Sequence, residues 1–161
     1  MKTLRIAALA ALLGTTAAFA HDYTVGSITI AHPMAFETAK SASVGGGYMT
    51  LTNSGDTPDT LRDIRSDTVP MIQLHKSETD ANGVARMFHL EDGIPLPAGE
   101  TVTLEPGGLH VMFMGLDGDP LEDGEEVKAT LVFENAGEVD VIFNVEPRRG
   151  GMDHSNHSKS D

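Results

Sequence analysis

Hydrophobic and polar residues alternate along short stretches of the chain from residue 23 onward, and no long stretch shows the 3.6-residue period of a helix. Clusters of Gly, Asn, Asp and Pro separate these stretches and predict turns. The spacing of about nine short strands predicts an all-β fold, a Greek-key β-sandwich. The predicted strands cover residues 24–31, 47–53, 60–66, 71–77, 84–91, 101–104, 109–114, 126–134 and 139–145.

The triple glycine at residues 45–47 is interpreted as the start of a strand. A phosphate-binding loop needs a helix directly after its glycines, and the pattern here predicts none.

The N-terminal residues have the pattern of a secretory signal peptide. Lys2 and Arg5 precede an apolar run over residues 6–13, and residues 18–20 read Ala-Phe-Ala, which fits the small-residue rule for cleavage. The apolar run is too short to span a bilayer. We therefore expect residues 1–20 to be removed after Ala20, a mature protein without a membrane span, and a location in the bacterial periplasm.

The composition changes after residue 146. Residues 147–161 are polar and contain Gly, Ser, Asn, His and Met, with few residues that can form a core. The predicted organisation is a signal peptide (residues 1–20), a β-sandwich domain (residues 21–146) and a flexible C-terminal tail (residues 147–161).

Composition and charge exclude several classes of protein. The 161 residues include no Cys, which excludes disulfide scaffolds, thiolate zinc sites, iron–sulfur clusters and Cys nucleophiles. The formal charge is −13, and it becomes −15 if Lys2 and Arg5 leave with the signal peptide. A nucleic-acid partner is excluded because phosphate binding needs clustered Lys and Arg. Met (8) and His (7) remain as donors for a soft metal.

The segment at residues 109–114 reads Leu-His-Val-Met-Phe-Met and carries the clearest candidate chemistry. Alternation along a strand places His110 and Met112 on the face opposite Val111 and Phe113. Residues two apart on one face have Cα atoms about 6.6 Å apart, so an imidazole and a thioether can converge on one ion. We interpret His110 and Met112 as a candidate metal clamp.

Two further predicted strands present similar donors. His75 points away from its apolar neighbours, and Met87 shares a face with His89. If the three faces meet, the site consists of His75, Met87, His110 and Met112, with His89 and Met114 nearby. The alternative is that these residues are structural, since Met is usually a core filler and a lone His is usually a hydrogen-bonded surface residue. That interpretation is our default for Met34, Met49, Met71, His32 and His89.

The segment from residue 69 to residue 116 resembles the periplasmic copper chaperones of the PCu(A)C type. That family has a motif of His, an optional Met, ten residues, Met, about twenty-one residues and His-x-Met. Here eleven residues separate His75 from Met87, with Lys76 in the place of the optional Met, and twenty-two separate Met87 from His110. The resemblance extends to His32-Pro33, to residues 47–53 and to the last two predicted strands.

The resemblance implies a cupredoxin-like β-sandwich that carries Cu(I) bound by His75, Met87, His110 and Met112. It implies delivery towards the CuA site of cytochrome c oxidase, or to another periplasmic copper chaperone. Two neutral thioethers and two imidazoles suit soft Cu(I) and suit Mg²⁺ or Ca²⁺ poorly. We expect ligand exchange with a docked partner and no catalysis of bond formation, so the protein is not expected to be an enzyme.

Other residues provide possible secondary copper sites. Met152, His154 and His157 in the tail are candidates for a second copper, such as Cu(II), because short His-rich tracts often bind metal. The alternative is a solubilising tail. If cleavage occurs after Ala20, the amine and imidazole of His21 are a further candidate for Cu(II).

Three other functions remain open from the sequence. The same site can serve copper sequestration and tolerance. A copper enzyme can use a terminal His21, although the chain has only 2 Tyr and no Trp to stack against a sugar. A metal-free adhesion or interaction domain is the third.

Overall fold

The structure is a computed structural model that describes residues 22–148. Within this range it contains eleven β-strands and no helix. The predicted signal peptide and most of the predicted tail lie outside the described residues. The strands are β1 (Tyr23–Val25), β2 (Ile28–Phe36), β3 (Val44–Asn53), β4 (Asp59–Arg65), β5 (Met71–Thr79), β6 (Ala85–His89), β7 (Ile94–Leu96), β8 (Thr101–Leu104), β9 (Leu109–Met114), β10 (Glu126–Phe133) and β11 (Glu138–Glu146).

The eleven strands form one hydrogen-bonded sheet in the order β6-β5-β9-β3-β2-β11-β10-β4-β7, with β1 beside β2 and β8 beside β3. All pairs are antiparallel except β2 with β11, which is parallel. The sheet curls around one core. The rings of Phe113 on β9 and Phe143 on β11 meet edge to face with centroids 5.4 Å apart, although β3 and β2 lie between their strands.

The all-β prediction is confirmed, but the structure has eleven strands where about nine were predicted. The predicted strand over residues 24–31 is divided at Gly26, whose φ of 55° turns the chain from β1 into β2. Strand β7 was predicted as a turn because Pro95 lies in its centre. An edge strand tolerates proline because one of its sides needs no hydrogen-bond donor, and β7 ends the sheet.

The triple glycine lies at the start of β3, as predicted, and allows close packing on both faces of the sheet. A Cβ atom on Gly47 would lie 2.7 Å from Cε2 of Phe113, and a Cβ atom on Gly46 would lie 2.5 Å from Oη of Tyr48. The missing side chains therefore let Phe113 pack on the core face of β3 and Tyr48 on the opposite face. This packing holds β3 against β9.

A tight turn sets the position of the edge strand β6. The carboxylate of Asp80 accepts hydrogen bonds from the backbone N–H groups of Asn82 and Val84 at 2.9 and 3.0 Å. Gly83 adopts a φ of 80°, which a residue with a side chain rarely adopts. Because this turn fixes the register of the β5–β6 hairpin, it also decides which residue of β6 lies opposite His75.

Candidate metal site

Strand β9 presents His110 and Met112 on the face opposite the core, as the alternation predicts. Val111 and Phe113 have no exposed surface, and both belong to the core. His110 is itself only 6% exposed, and its Nδ1 lies 3.0 Å from the carbonyl oxygen of Gly108. A carbonyl only accepts hydrogen bonds, so Nδ1 carries the proton and Nε2 carries the lone pair that can bind a metal.

His75 on β5 lies directly opposite His110 on β9, and their ring centroids are 5.8 Å apart. The side-chain oxygen of Gln73 accepts a hydrogen bond from Nε2 of His75 at 2.9 Å, so Nδ1 carries the lone pair. Solvent does not reach this Nδ1 atom, and it has no hydrogen-bond partner. An unpartnered, sheltered lone pair costs free energy and is suited to a metal ion.

The surroundings of His75 favour its neutral form. Burial lowers the pKa of His75, and the neighbouring His110 and His89 lower it further because each is positively charged when protonated. Only the neutral ring offers a lone pair to a metal. The lowered pKa therefore keeps His75 available as a ligand at a lower pH than an isolated histidine.

The two predicted thioether ligands lie on opposite sides of His75. Met112 on β9 is opposite Gln73, and Met87 on β6 is opposite Ser77. Each methionine is therefore a diagonal neighbour of His75, about 7 to 8 Å away between Cα atoms. The structure brings His75, His110 and Met112 together, whereas Met87 and Met112 are on strands that β5 separates.

A metal site here needs sulfur as well as nitrogen. Between residues 22 and 148, no three His, Asp or Glu side chains form a group that can hold a metal ion. A surface cavity between Arg65, Lys128 and Asp140 lies away from this face, and its lining contains no His or Met. Imidazole and thioether groups on the face of β5, β6 and β9 are therefore the candidate donor set.

The structure corrects the position of one residue of this face and makes the position of a second more definite. Met71 is 50% exposed and lies opposite Met114, so its interpretation as a core filler is wrong. Met71, Gln73 and His75 are every second residue of one strand, and this spacing was the signal that places Met71 on the face of the other two. His89 is an exposed histidine near the site, as expected, and it lies directly opposite His75 with a centroid separation of 5.5 Å.

The remaining structural interpretations agree with the structure. Met34 and Met49 are buried at 7% and 3% exposure. His32 is exposed and lies 3.2 Å from a carboxylate oxygen of Glu146, on a strand that is not part of the donor face. His21, Met152, His154 and His157 lie outside the described residues.

The donor face is open and has an apolar rim. Val44, Met71 and Met87 are between 44% and 51% exposed, and all three lie on the face that carries His75 and His110. Phe88 is also exposed, at 46%, on the other face of the edge strand β6. An open face with apolar residues around polar donors is typical of a surface that another protein covers.

A pair of aromatic rings lies on the same face, on the side of β3 and β2. The rings of Tyr48 and Phe36 have centroids 5.5 Å apart, and the guanidinium of Arg148 lies 5.7 Å from the centroid of Phe36. Burial raises the pKa of Tyr48, and the positive charge of Arg148 partly opposes this change. Arg148 is the last described residue, and it lies on Phe36 of β2. The chain therefore leaves the described structure beside β2, on the donor face.

Comparisons with known proteins agree with this fold. Residues 28–145 match the family described as "Putative lipoprotein LpqE-like". A relative in Leifsonia xyli subsp. xyli (strain CTCB07), named "Putative lipoprotein Lxx21020", is 30% identical over 120 residues, which are 74% of this chain and 71% of the relative.

Two solved structures extend the comparison. The copper-bound PCuAC domain from PmoF2 is 33% identical, with a TM-score of 0.65, over 79% of this chain and 98% of that domain. The Cu(I) form of DR1885 from Deinococcus radiodurans is 29% identical, with a TM-score of 0.60, over 82% of this chain and 85% of that protein.

The fold and these similarities define a copper chaperone domain with a cupredoxin-like β fold. The chain belongs to the PCu(A)C family of copper chaperones, to which its LpqE-like match also assigns it. Between residues 22 and 148, no helix is long and apolar enough to cross a membrane.

Proposed function

We propose that this protein is a periplasmic carrier of Cu(I) that passes its copper to a partner by ligand exchange. The observation that carries the proposal is the direct cross-strand pairing of His75 with His110, with Met112 two residues further along β9 on the same face. The copper-bound PmoF2 domain and Cu(I)-DR1885 share this fold and about a third of the sequence, which supports copper as the cargo.

The chemistry of the donors supports Cu(I) as the bound form. In the proposed site the lone pairs of His75 and His110 and the thioethers of Met112 and Met87 bind the ion, and all four groups are neutral. Soft Cu(I) accepts thioether ligands well. Met87 is 51% exposed on an edge strand, and its three side-chain torsions allow its sulfur to approach the ion from the side opposite Met112.

The exposure of the site supports transfer in preference to storage. A protein that sequesters copper benefits from an enclosed site, whereas Met71 and Met87 here are half exposed at the rim. Neutral thioethers hold copper without the charge of a thiolate, so the ligands of a partner can displace them. We propose that this exchange involves no catalysis of bond formation.

We propose the CuA site of a cytochrome c oxidase subunit, or another periplasmic copper chaperone, as the receiver. The test mixes the Cu(I)-loaded protein with the apo form of a soluble CuA domain and measures the copper on each protein after separation. We expect copper on the CuA domain within the mixing time, and a variant with His110→Ala and Met112→Ala should transfer none. Retention of all copper by the carrier would contradict delivery to CuA.

A deletion strain distinguishes delivery from copper tolerance. Loss of a carrier should lower oxidase activity when copper is scarce and should leave growth in excess copper unchanged. Loss of a tolerance protein should give the reverse pattern. Sensitivity to excess copper with normal oxidase activity would therefore favour the sequestration function.

We further propose that the tail residues Met152, His154 and His157 bind a second copper, as Cu(II). The support is the point at which the described chain ends, since Arg148 lies on Phe36 at the edge of the donor face. The few residues that join Arg148 to these side chains act as a short tether, which keeps a captured ion at high effective concentration near the main site. Electron paramagnetic resonance of the full chain and of a chain ending at residue 148 tests this proposal. Equal Cu(II) signals from both chains would contradict it.

A further inference from the structure

Three histidines on three neighbouring strands form a continuous row across the donor face. His89 on β6 lies opposite His75 on β5, and His75 lies opposite His110 on β9. The ring centroids are 5.5 Å apart in the outer pair and 5.8 Å apart in the inner pair. His110 is buried, His75 is half-buried, and His89 is exposed, so the row leads from the interior of the site to the edge of the sheet.

Both pairs have the spacing of two imidazoles that share a metal ion. Metal–nitrogen bonds of about 2 Å place the ring centroids of two such imidazoles roughly 5 to 6 Å apart. The three rings do not form one three-ligand group, because no such group exists between residues 22 and 148. The row therefore contains two adjacent two-imidazole positions that have His75 in common.

We propose that His89 is a transit ligand, which with His75 holds Cu(I) briefly as the ion enters or leaves the inner site. This inference rests on the proposed Cu(I) carrier function. In the leaving step, a bond from His89 to copper forms before the bond from His110 breaks. The copper stays Cu(I) throughout, so the step needs no oxidant, reductant or proton. Strand β6 is the edge of the sheet, so the outer pair is where the ligands of a partner first reach the ion.

A transit ligand has a kinetic signature that neither a resting ligand nor a structural residue shares. An intermediate on the path speeds loading and unloading by the same factor, because both directions pass through it. Its removal therefore slows both rates equally and leaves Kd unchanged. Removal of a resting ligand weakens Kd and speeds unloading.

The experiment compares the full chain with His89→Asn and with His32→Asn as the matched control. His32 is an exposed histidine outside the row, and its φ of 50° suits asparagine, so the control loses an imidazole without strain. Stopped-flow mixing with a chromogenic Cu(I) chelator gives the unloading rate, mixing with a Cu(I) donor complex gives the loading rate, and equilibrium competition gives Kd. Circular dichroism checks that each variant is folded.

We expect His89→Asn to slow both rates by at least about threefold, which is a small fraction of a typical barrier, with Kd within about twofold of the parent chain. We expect His32→Asn to match the parent chain in all three quantities. Unchanged rates in His89→Asn would overturn the proposal, and so would a weaker Kd with faster unloading. If the parent chain binds no Cu(I) in the competition measurement, the carrier function itself is wrong, so the two failures are distinguishable.

Discussion

Gly47→Ala tests how strongly the packing of β3 on β9 supports the donor face. The added Cβ atom would lie 2.7 Å from Cε2 and 3.0 Å from Cζ of Phe113. Ordinary contact begins at 3.4 Å, so the ring must move by about 0.7 Å. Phe113 is completely buried and packs edge to face on Phe143, so a movement of its ring disturbs its contacts in the core.

Overpacking of this kind costs about 1 to 3 kcal/mol of unfolding free energy. We expect Gly47→Ala to lose an amount in this range, measured by urea unfolding followed by far-ultraviolet circular dichroism. The effect should appear as a lower denaturation midpoint with an unchanged dependence on urea concentration, because the folded surface stays the same.

Two other glycines provide graded controls. In Gly46→Ala the new atom would meet Oη of Tyr48, the free end of a side chain that can move, so we expect a smaller loss. In Gly108→Ala the nearest atom is Cγ of Glu105 at 3.5 Å, which is ordinary contact, so we expect a change within about 0.5 kcal/mol. A Gly47→Ala protein as stable as the Gly108→Ala protein would refute the packing argument.

Three further predictions concern the core, the site and the aromatic pair. The amide of Asn53 is fully buried and makes four hydrogen bonds of 2.9 to 3.1 Å, so Asn53→Ala should cost about 2 to 4 kcal/mol in urea unfolding, while Asn82→Ala in the exposed turn should cost little. Because the pKa of His75 is lowered in the folded state, the unfolded chain binds more protons there, and stability must fall as the pH falls through the ordinary value of 6.5. His75→Gln should therefore lose less stability than the parent chain between about pH 8 and about pH 5, and equal losses would contradict this assignment. Arg148→Ala should raise the pKa of Tyr48 further, measured by ultraviolet titration of the phenolate, because its positive charge now opposes the effect of burial.

The strands that face the core on one side were predictable from the sequence, and those at the edges were not. The alternation in β9 places large apolar side chains at every second position, and the core requires those positions. All five residues of the edge strand β6 are exposed, so the alternation there gives the faces of the strand but does not show which face is buried. In β7 a proline concealed the strand.

The face of each candidate ligand was predictable, but the contacts between strands were only partly so. His75 and His110 are separated by a long stretch of chain, and no local pattern sets their register. The pairing of His75 with His89 did have a signal, since the Asp80 to Gly83 turn fixes the register of a simple hairpin. Counting outward from that turn places the two histidines opposite each other.

The most direct test of the central claim is an anaerobic competition titration of the full chain with Cu(I) and a chromogenic chelator. Even the outer partners of metal ligands are worth about 10- to 100-fold in affinity, so the loss of His110 and Met112 together should weaken Kd by at least about a hundredfold. We predict one tightly bound Cu(I) in the parent chain and in His32→Asn, and its loss in the variant with His110→Ala and Met112→Ala. Equally tight binding by that variant, in a protein with an unchanged circular dichroism spectrum, would contradict the account.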